Sequence, residues 1–445
     1  MKRIQALWVV VAVAAALLIA LLYGLRLAVP AQTQVQAADL PAAGSGWPPR
    51  FPYIGPLPDA QPTPASSKPL DRSSSSWTME VCGVGVVTID AARGPDRVAL
   101  RPLLLAQDEF ANVVLRMRDD PDPLRQAAGL WHLALVRADQ AEQPFVRNHS
   151  DCDADPACVR SRTAAVARAT APDRLRLARL ATTSLDPDVY VSGLAACRHG
   201  EEALPELRAA CGQLSNLRWS QLDPGNAAPW LALAQEAADR KADVEVIAAL
   251  QRVLASTTTD HRLRALVPTS LLGSYAMSPP AWLTAQIRAV GVYAAVPMVG
   301  YTAARGACDS GRLQDANRRE LCRQLAEHFV ARDTTFVGLH TGRELGQQLG
   351  WDHDRLRALR DELDAFGGVN YMGLDDPMVL SCEAVDRGRA FTSEIVRVGE
   401  VPAARAALKA SGKSVSQAAA EFRAGRQAQW ERVQAGQSTS VPARK

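Results

Sequence analysis

Eight cysteines, at positions 82, 152, 158, 197, 211, 308, 322 and 382, are the residues of this 445-residue chain whose type and spacing could do chemistry. Four of them belong to a motif that occurs twice, at Tyr190 to Leu214 and 111 positions later at Tyr301 to Leu325, and reads Tyr-x5-Ala-Cys-x2-Gly-x10-Cys-x-Gln-Leu in both copies. Paired thiols can form a redox couple, ligate a metal, lie buried and inert, or close a disulfide. A redox couple calls for Cys-x-x-Cys at a helix N-terminus, where the thiol pKa falls, and neither copy has that spacing. Zinc needs four convergent nitrogen or sulfur ligands, and only Cys197 with His199 offers two neighbours.

The disulfide reading has a geometric condition. Fourteen residues along one straight helix separate two cysteines by ~21 Å, whereas bonded cysteines need Cα atoms within about 7 Å. A turn must therefore lie between them. Gly200 as a residue just past a helix end and Pro205 in a first turn mark it in the first copy, and Gly311 stands where Gly200 does in the second. Cys197 shares a helical stripe with Tyr190 and Leu194, and Cys211 one with Leu204, Leu207 and Leu214; Cys308 follows Tyr301 and Ala304, and Cys322 sits with Leu325 and Phe329. All four thiols then point to apolar faces that a helix hairpin presses together, which favours Cys197–Cys211 and Cys308–Cys322 staples over free buried thiols.

Cys152 and Cys158 are close enough to close a small loop of their own, and elimination leaves Cys82 with Cys382, although connectivity is not fixed by sequence. Asp151, Asp153 and Asp155 have the opening spacing of a calcium loop, but Pro156 takes the glycine position and Arg162 that of the bidentate glutamate. Ala407 to Ser414, "ALKASGKS", resembles a phosphate loop, yet its Ala-rich surroundings read as helix, turn and helix, so no nucleotide is expected. Gly83-x-Gly85 lacks the third glycine and the following helix of a dinucleotide site. His328 and His340 are the histidines with apolar or capping contexts. Asp375–Asp376 and Glu201–Glu202 could supply a muramidase-type acid and base or be solvated turn residues. No catalytic residue, metal site or cofactor is assigned.

The elements that must hold these cysteines begin with an N-terminal segment. Lys2 and Arg3 precede an uncharged apolar run from Ala6 to Leu25. Twenty residues at ~1.5 Å each cross a hydrocarbon core of ~30 Å, so residues 1–29 are expected to be a single transmembrane anchor with its N-terminus in the cytoplasm. A cleaved signal peptide ending near Val29-Pro30-Ala31 is the alternative. Everything after it then lies in the periplasm of a bacterial inner membrane, which agrees with an even number of cysteines, all beyond the run. Residues 30–76, with ten prolines in 47 positions, read as a linker. The aromatics Trp47, Phe51 and Tyr53 within it suit a plain spacer or a docking peptide. Net charge is only +3, without long basic runs, which leaves no footprint for nucleic acid.

Trp77 to Asp90 is the one convincing strand, and it must pack on the rest because a lone strand is not stable. From Arg101 the sequence is helical almost throughout, in keeping with abundant alanine and 5% aromatics. Trp230, Leu233, Ala234, Ala237 and Ala238 form one stripe, and Ile247, Leu250, Val253 and Leu254 a second, joined by a short polar turn into an αα-hairpin. "DPGNAAPWLALAQEAADRKADVEVIAALQRVL" resembles a tetratricopeptide or Sel1-like repeat, with Trp230, Leu233 and Ala234 near that family's Trp, Leu and small positions. Its opening echoes at Asp120 and at Asp186, 37 residues before Asp223. The consensus alanine of the second helix and the closing proline are not clear.

The resemblance, over residues 120–335, implies an irregular αα-hairpin array; the helical pattern as a whole gives a mainly α domain over 77–436, and the composition of the last residues a frayed tail at 437–445. Repeat arrays offer extended surfaces for recognition and no chemistry of their own. The expected function is therefore a membrane-anchored periplasmic scaffold that contacts the inner membrane through residues 6–25 and binds a protein or peptide of the envelope. A glycan hydrolase of the envelope and a purely structural spacer are the alternatives.

Overall fold

In the computed structural model of the chain the described residues are 76–90, 94–95, 101–148, 152–153, 155–198, 204–295, 300–368 and 380–438. The expected anchor at 6–25, nearly all of the linker, Gly200 and both acidic pairs lie outside them. No helix among the described residues is long and apolar enough to cross a membrane.

The N-terminal strand expected at Trp77 to Asp90 is a hairpin. β1 (Ser76–Val81) turns through Cys82 to Val84 into antiparallel β2 (Gly85–Asp90), and two residues, β3 (Gly94–Pro95), pair on the far side of β2. Gly83 and Gly85, at φ +72° and +93°, supply the left-handed turn and divide the Val- and Thr-rich stretch into two strands. Alternation sends Met79, Val81 and Val87 inward and Thr78, Glu80, Val86 and Thr88 outward. Leu380 extends the sheet: its N–H donates to the Glu80 carbonyl at 3.0 Å, and the Leu380 carbonyl accepts the Cys82 N–H at 2.7 Å.

Among the described residues the remaining elements are helices. In chain order the helices are α1 (Arg101–Arg118), α2 (Pro123–Asn148), α3 (Pro156–Thr183), α4 (Pro187–Cys197), α5 (Pro205–Cys211), α6 (Asn216–Leu222), α7 (Ala227–Asp239), α8 (Asp243–Ala255) and the short α9 (Thr269–Leu272). They continue with α10 (Pro279–Ala295), α11 (Tyr301–Ala307), α12 (Ala316–Ala331), α13 (Phe336–Gln348), α14 (His353–Gly368), α15 (Cys382–Val398), α16 (Glu400–Ala410) and α17 (Val415–Ser438). The last helix runs two residues past the expected boundary of the tail.

The caps explain the starts. Asp186 accepts the Asp188 N–H, with Pro187 at the first position of α4, and Asn226 accepts the Ala228 N–H to begin α7. The three Asp-Pro openings are therefore not in one register. Asp122, not Asp120, accepts the first-turn amide of α2, from Leu124, and Asp223 lies three residues upstream of the α7 cap, where it pairs with Arg262 at 2.8 Å. Of the three, Asp186 alone caps the helix that follows it.

α7 and α8 form the expected hairpin, with a rotated core face. Ala227, Leu231 and Ala234 are fully buried, while Trp230 and Leu233 stand at the half-exposed margin. This hairpin packs on Tyr301, Cys308, Cys322, Leu325 and Phe329, so the second cysteine copy is its neighbour in one core. α1 to α3 build a second core around Phe110, Met117, Leu130 and Leu177. Successive hairpins stack as in a helical array, but the chain also folds back. α10 lies on α1, α15 lies on α10, and the β-hairpin joins the segment before α15. A linear solenoid contacts only its nearest neighbours. These long-range contacts give the body a closed arrangement, and helical packing is the part of the repeat reading that the fold carries.

Candidate functional site

All eight cysteines are paired, as Cys82–Cys382, Cys152–Cys158, Cys197–Cys211 and Cys308–Cys322. The two motif staples have Cα atoms 5.5 and 5.7 Å apart, and each closes between consecutive helical segments. Pro205 occupies the first turn of α5, as its type predicts. Gly311 does not take the role expected of it. Its φ is −68°, in the right-handed region, and it leads into a single 3-10 turn, Arg312–Gln314, because α11 has already ended at Ala307. Cys82–Cys382 ties residues 300 positions apart and clamps the β-hairpin to α15.

The remaining singled-out groups have local structural duties. Asp155 caps α3 by accepting the Ala157 N–H, and Asp153 pairs with Arg162 at 2.5 Å. α16 feeds "ALKASGKS", the turn at Gly412 has φ +70°, and α17 follows, so this stretch is the helix-turn-helix its composition suggests. His328 is buried edge-on against Phe329, and burial, with the Arg332 charge, lowers its pKa to about 4. His340 lies half-buried with Nδ1 3.6 Å from Glu344.

Two places on the surface and in the interior stand out. The first is a pair of adjoining open depressions of about 290 and 440 Å³ that share Gln314. Ala316, Arg319, Glu320 and Arg323 form the wall of the smaller one, at spacing that puts them on a single face of α12, opposite the buried Cys322, Leu325 and Phe329. Leu349 and Trp351, from the turn between α13 and α14, form its other side. Arg355 lies over the Trp351 ring at 3.4 Å and holds Glu327 through two hydrogen bonds of 2.9 and 2.5 Å. Arg319 donates Nε to the Leu313 carbonyl at 3.0 Å. The result is an exposed strip of guanidinium groups and one half-buried indole at the turn of the second stapled hairpin.

The second place is a sealed polar junction. Asp333, just before α13, accepts the Tyr301 hydroxyl at 2.8 Å, and its other oxygen accepts the Thr335 N–H and hydroxyl, each at 2.8 Å. Thr335 caps α13 by accepting the Gly338 N–H at 2.9 Å. Glu400, the first residue of α16, accepts the Phe336 N–H at 2.6 Å and a hydrogen bond from Tyr293. His261 Nε2 lies 3.5 Å from the Tyr301 hydroxyl. Burial raises Asp333 to about 6 and Glu400 to about 7, with the Asp333 charge adding to the latter, and burial holds His261 neutral with a pKa near 4. Two converging carboxylates with raised pKa values are what an acid–base enzyme needs, but these have their lone pairs directed at the chain's own donors and no exposed edge.

Of this junction the sequence motif contains only Tyr301. "RDTTF" carries an N-cap signal in Thr335, but the meeting of Asp333 with Glu400, 67 positions on in the chain, has no local signature. Compared with models of protein families, with curated proteins and with solved structures, the chain shows no match.

Proposed function

We propose that this chain is a single-pass inner-membrane protein, held by residues 6–25, whose helical domain lies in the periplasm and binds a protein or peptide of the envelope. The observation that carries the binding reading is the groove along α12. It is open, it joins an indole to several arginines, and Trp and Arg are the residues over-represented where protein interfaces concentrate their energy. Four disulfides that account for every cysteine support an oxidising compartment, and stacked hairpins such as α7–α8 support kinship with tetratricopeptide or Sel1-like arrays. Arg323 is held by Glu320 on the same wall through hydrogen bonds of 2.8 and 2.6 Å, so the groove suits a partner whose carboxylate joins Arg319 and competes with Glu320 for Arg323, and whose apolar side chain reaches Trp351.

A photo-crosslinking residue at position 316, an alanine on the wall of the groove, in the full-length protein in its membrane tests this. A discrete crosslinked envelope protein is expected, and Arg323→Glu should reduce its yield at least about fivefold, since reversing a rim charge weakens encounter and docking. A crosslink that Arg323→Glu leaves unchanged would contradict the groove as the contact. Turnover of a glycan by the purified protein, with no crosslink at 316, would replace binding with the hydrolase reading. Alkylation of the cysteines in the native protein without reductant would remove the oxidising compartment.

A further inference from the structure

We propose that Asp333 and Glu400 form a proton-operated latch, closed when protonated, that fastens α16 to the start of α13. The geometry places the two carboxylates at a junction of five segments: α10, α11, the stretch around Thr259 and His261, and the starts of α13 and α16. Beyond the bonds already given, the Val401 N–H donates to the Thr334 carbonyl at 2.9 Å, and the Thr334 hydroxyl donates to the Thr259 carbonyl at 2.6 Å. Gly399 is pressed on Thr334 so closely that a Cβ there would lie 2.3 Å from the threonine Cβ. α16 is thus held to the body at its first turn, through Glu400 and Val401, and its Ala404 and Val401 pack with Leu339 and Phe366 behind that turn.

What makes the junction responsive is the lack of countercharge. Among the described residues neither carboxylate has an ion-pair partner. The groups that face them are Tyr301 from α11, Tyr293 from α10, Thr335 and the Phe336 N–H from α13, and His261, held neutral by its burial and by the Arg198 charge. Arg332, next to Asp333, extends instead to the Ser256 carbonyl at 3.5 Å. Two negative charges would then share a dry site with dipoles alone to stabilise them, which is costly.

The sign follows from the direction of the shifts. Both carboxyls have folded values, about 6 and about 7, above their free ones, so protonation stabilises the closed junction. That stabilisation is complete below about pH 4 and is lost as pH rises through 6 and 7. His261, lowered to about 4, works the other way as pH falls below about 6.5. The latch therefore acts unopposed between roughly pH 6.5 and 8.5.

Hydrogen exchange of full-length protein at those two pH values tests it, read as protection factors of peptides containing Phe336 and Val401. Wild type should lose about fivefold in protection from pH 6.5 to 8.5, with helices distant from the junction, such as α2, unchanged. Glu400→Gln should leave less than about a twofold loss, and Asp333→Asn about fourfold. Tyr293→Phe removes one donor from Glu400 without removing the ring, and should move the midpoint to higher pH. This variant keeps the question answerable if the amide variants fail to fold, because a purely packing role would lower protection equally at both pH values. Equal protection in wild type at pH 6.5 and 8.5, a wild-type profile in Glu400→Gln, or an unmoved midpoint in Tyr293→Phe would each overturn the latch.

Discussion

Tyr190 and Tyr301 hold the same place in the two cysteine motifs, and both rings are buried beside a staple of the same span, yet their hydroxyls lead to different structures. The Tyr190 hydroxyl meets the backbone of Ser215, accepting its N–H at 3.0 Å, 25 residues along the chain. At the equivalent spacing from Tyr301 stands Ala326, inside α12, where the backbone groups are already engaged in the helix. The difference traces to one pair of residue types. Ser215 is a good N-cap and accepts the Arg218 N–H, so α5 ends at Cys211 and α6 starts afresh. Ala326 is the best helix former, and α12 runs on for sixteen residues to Ala331. Denied a local partner, the Tyr301 hydroxyl reaches past that helix to Asp333 and Thr335. A repeated covalent staple thus fixes a hairpin, while the residue four places past its second cysteine decides whether the hairpin remains local or joins the body to α16.

The largest expected effect breaks the second copy where it departs most from the first. Tyr301 follows Gly300, which has φ +94° and lies so close to α7 that a Cβ would be 2.2 Å from the Leu231 carbonyl oxygen; its counterpart Val189 lies inside α4. Gly300→Ala combines left-handed strain with a clash against backbone, and should cost roughly 3–5 kcal/mol in denaturant unfolding. A cost under about 1 kcal/mol would mean that α11 can shift, and that the α7–α11 contact is looser than it stands.

Removing the staples should erase much of the distinction. Both loops close across 14 positions, so Cys197→Ala with Cys211→Ala and Cys308→Ala with Cys322→Ala should each lose about 3 kcal/mol by the loop-closure account. Agreement within about 1 kcal/mol supports an effect exerted on the unfolded chain; a much larger loss in the second copy would assign it to the folded core around Cys322. The hydroxyls should separate the copies again. Tyr190→Phe leaves one amide without its acceptor, for about 1 kcal/mol, whereas Tyr301→Phe withdraws a donor from a buried carboxylate, for about 2 kcal/mol, and raises Asp333 further. Equal costs would indicate that the Asp333 contact is no stronger than a neutral hydrogen bond.

This contrast also marks where sequence reading reached its limit. The staples were legible because helical spacing alone forbids Cys197 and Cys211 to meet without a turn, and the hairpin at Trp230 was legible from its stripes. The β-turn was marked too, by Gly83 and Gly85, but reading those glycines only as a nucleotide fingerprint, and the flanking Val and Thr as one strand, misses the reversal. The Asp-Pro echoes misled because one such pair opens a helix, at Asp186, while another, at Asp223, closes one and binds Arg262. The sealed junction was beyond reach for another reason. Asp333 and Glu400 come together through the return of α16 onto α13, and tertiary closure of that kind leaves no periodicity behind. The groove was half legible: α12 has a polar face by spacing, but the indole that completes it arrives from a turn.

The smallest expected effect sharpens the comparison at the surface. Asp243, at the start of α8, receives Arg318 at 2.6 Å and also Arg312, so the turn of the second hairpin is tied to its neighbour by charge; in the first hairpin the second helix, α5, is tied through Glu206 to Arg179 at 3.4 Å, exposed on both sides. The hydrogen bond from Arg318 and then that from Arg312 hold the Asp243 carboxyl below its usual value, a shift opposite in direction to those of Asp333 and Glu400. Its contribution is therefore present above about pH 4 and lost as pH falls below that, whereas the buried pair loses its contribution as pH rises. Because both arginines keep one face in water, Asp243→Asn should cost no more than about 1 kcal/mol in denaturant unfolding at neutral pH and low salt, and most of that should vanish at about 1 M salt. Glu206→Gln in the first copy should cost less than about 0.3 kcal/mol at any salt concentration. A salt-independent loss in Asp243→Asn would place that carboxylate among the buried groups of the second hairpin and make its electrostatics of one kind throughout.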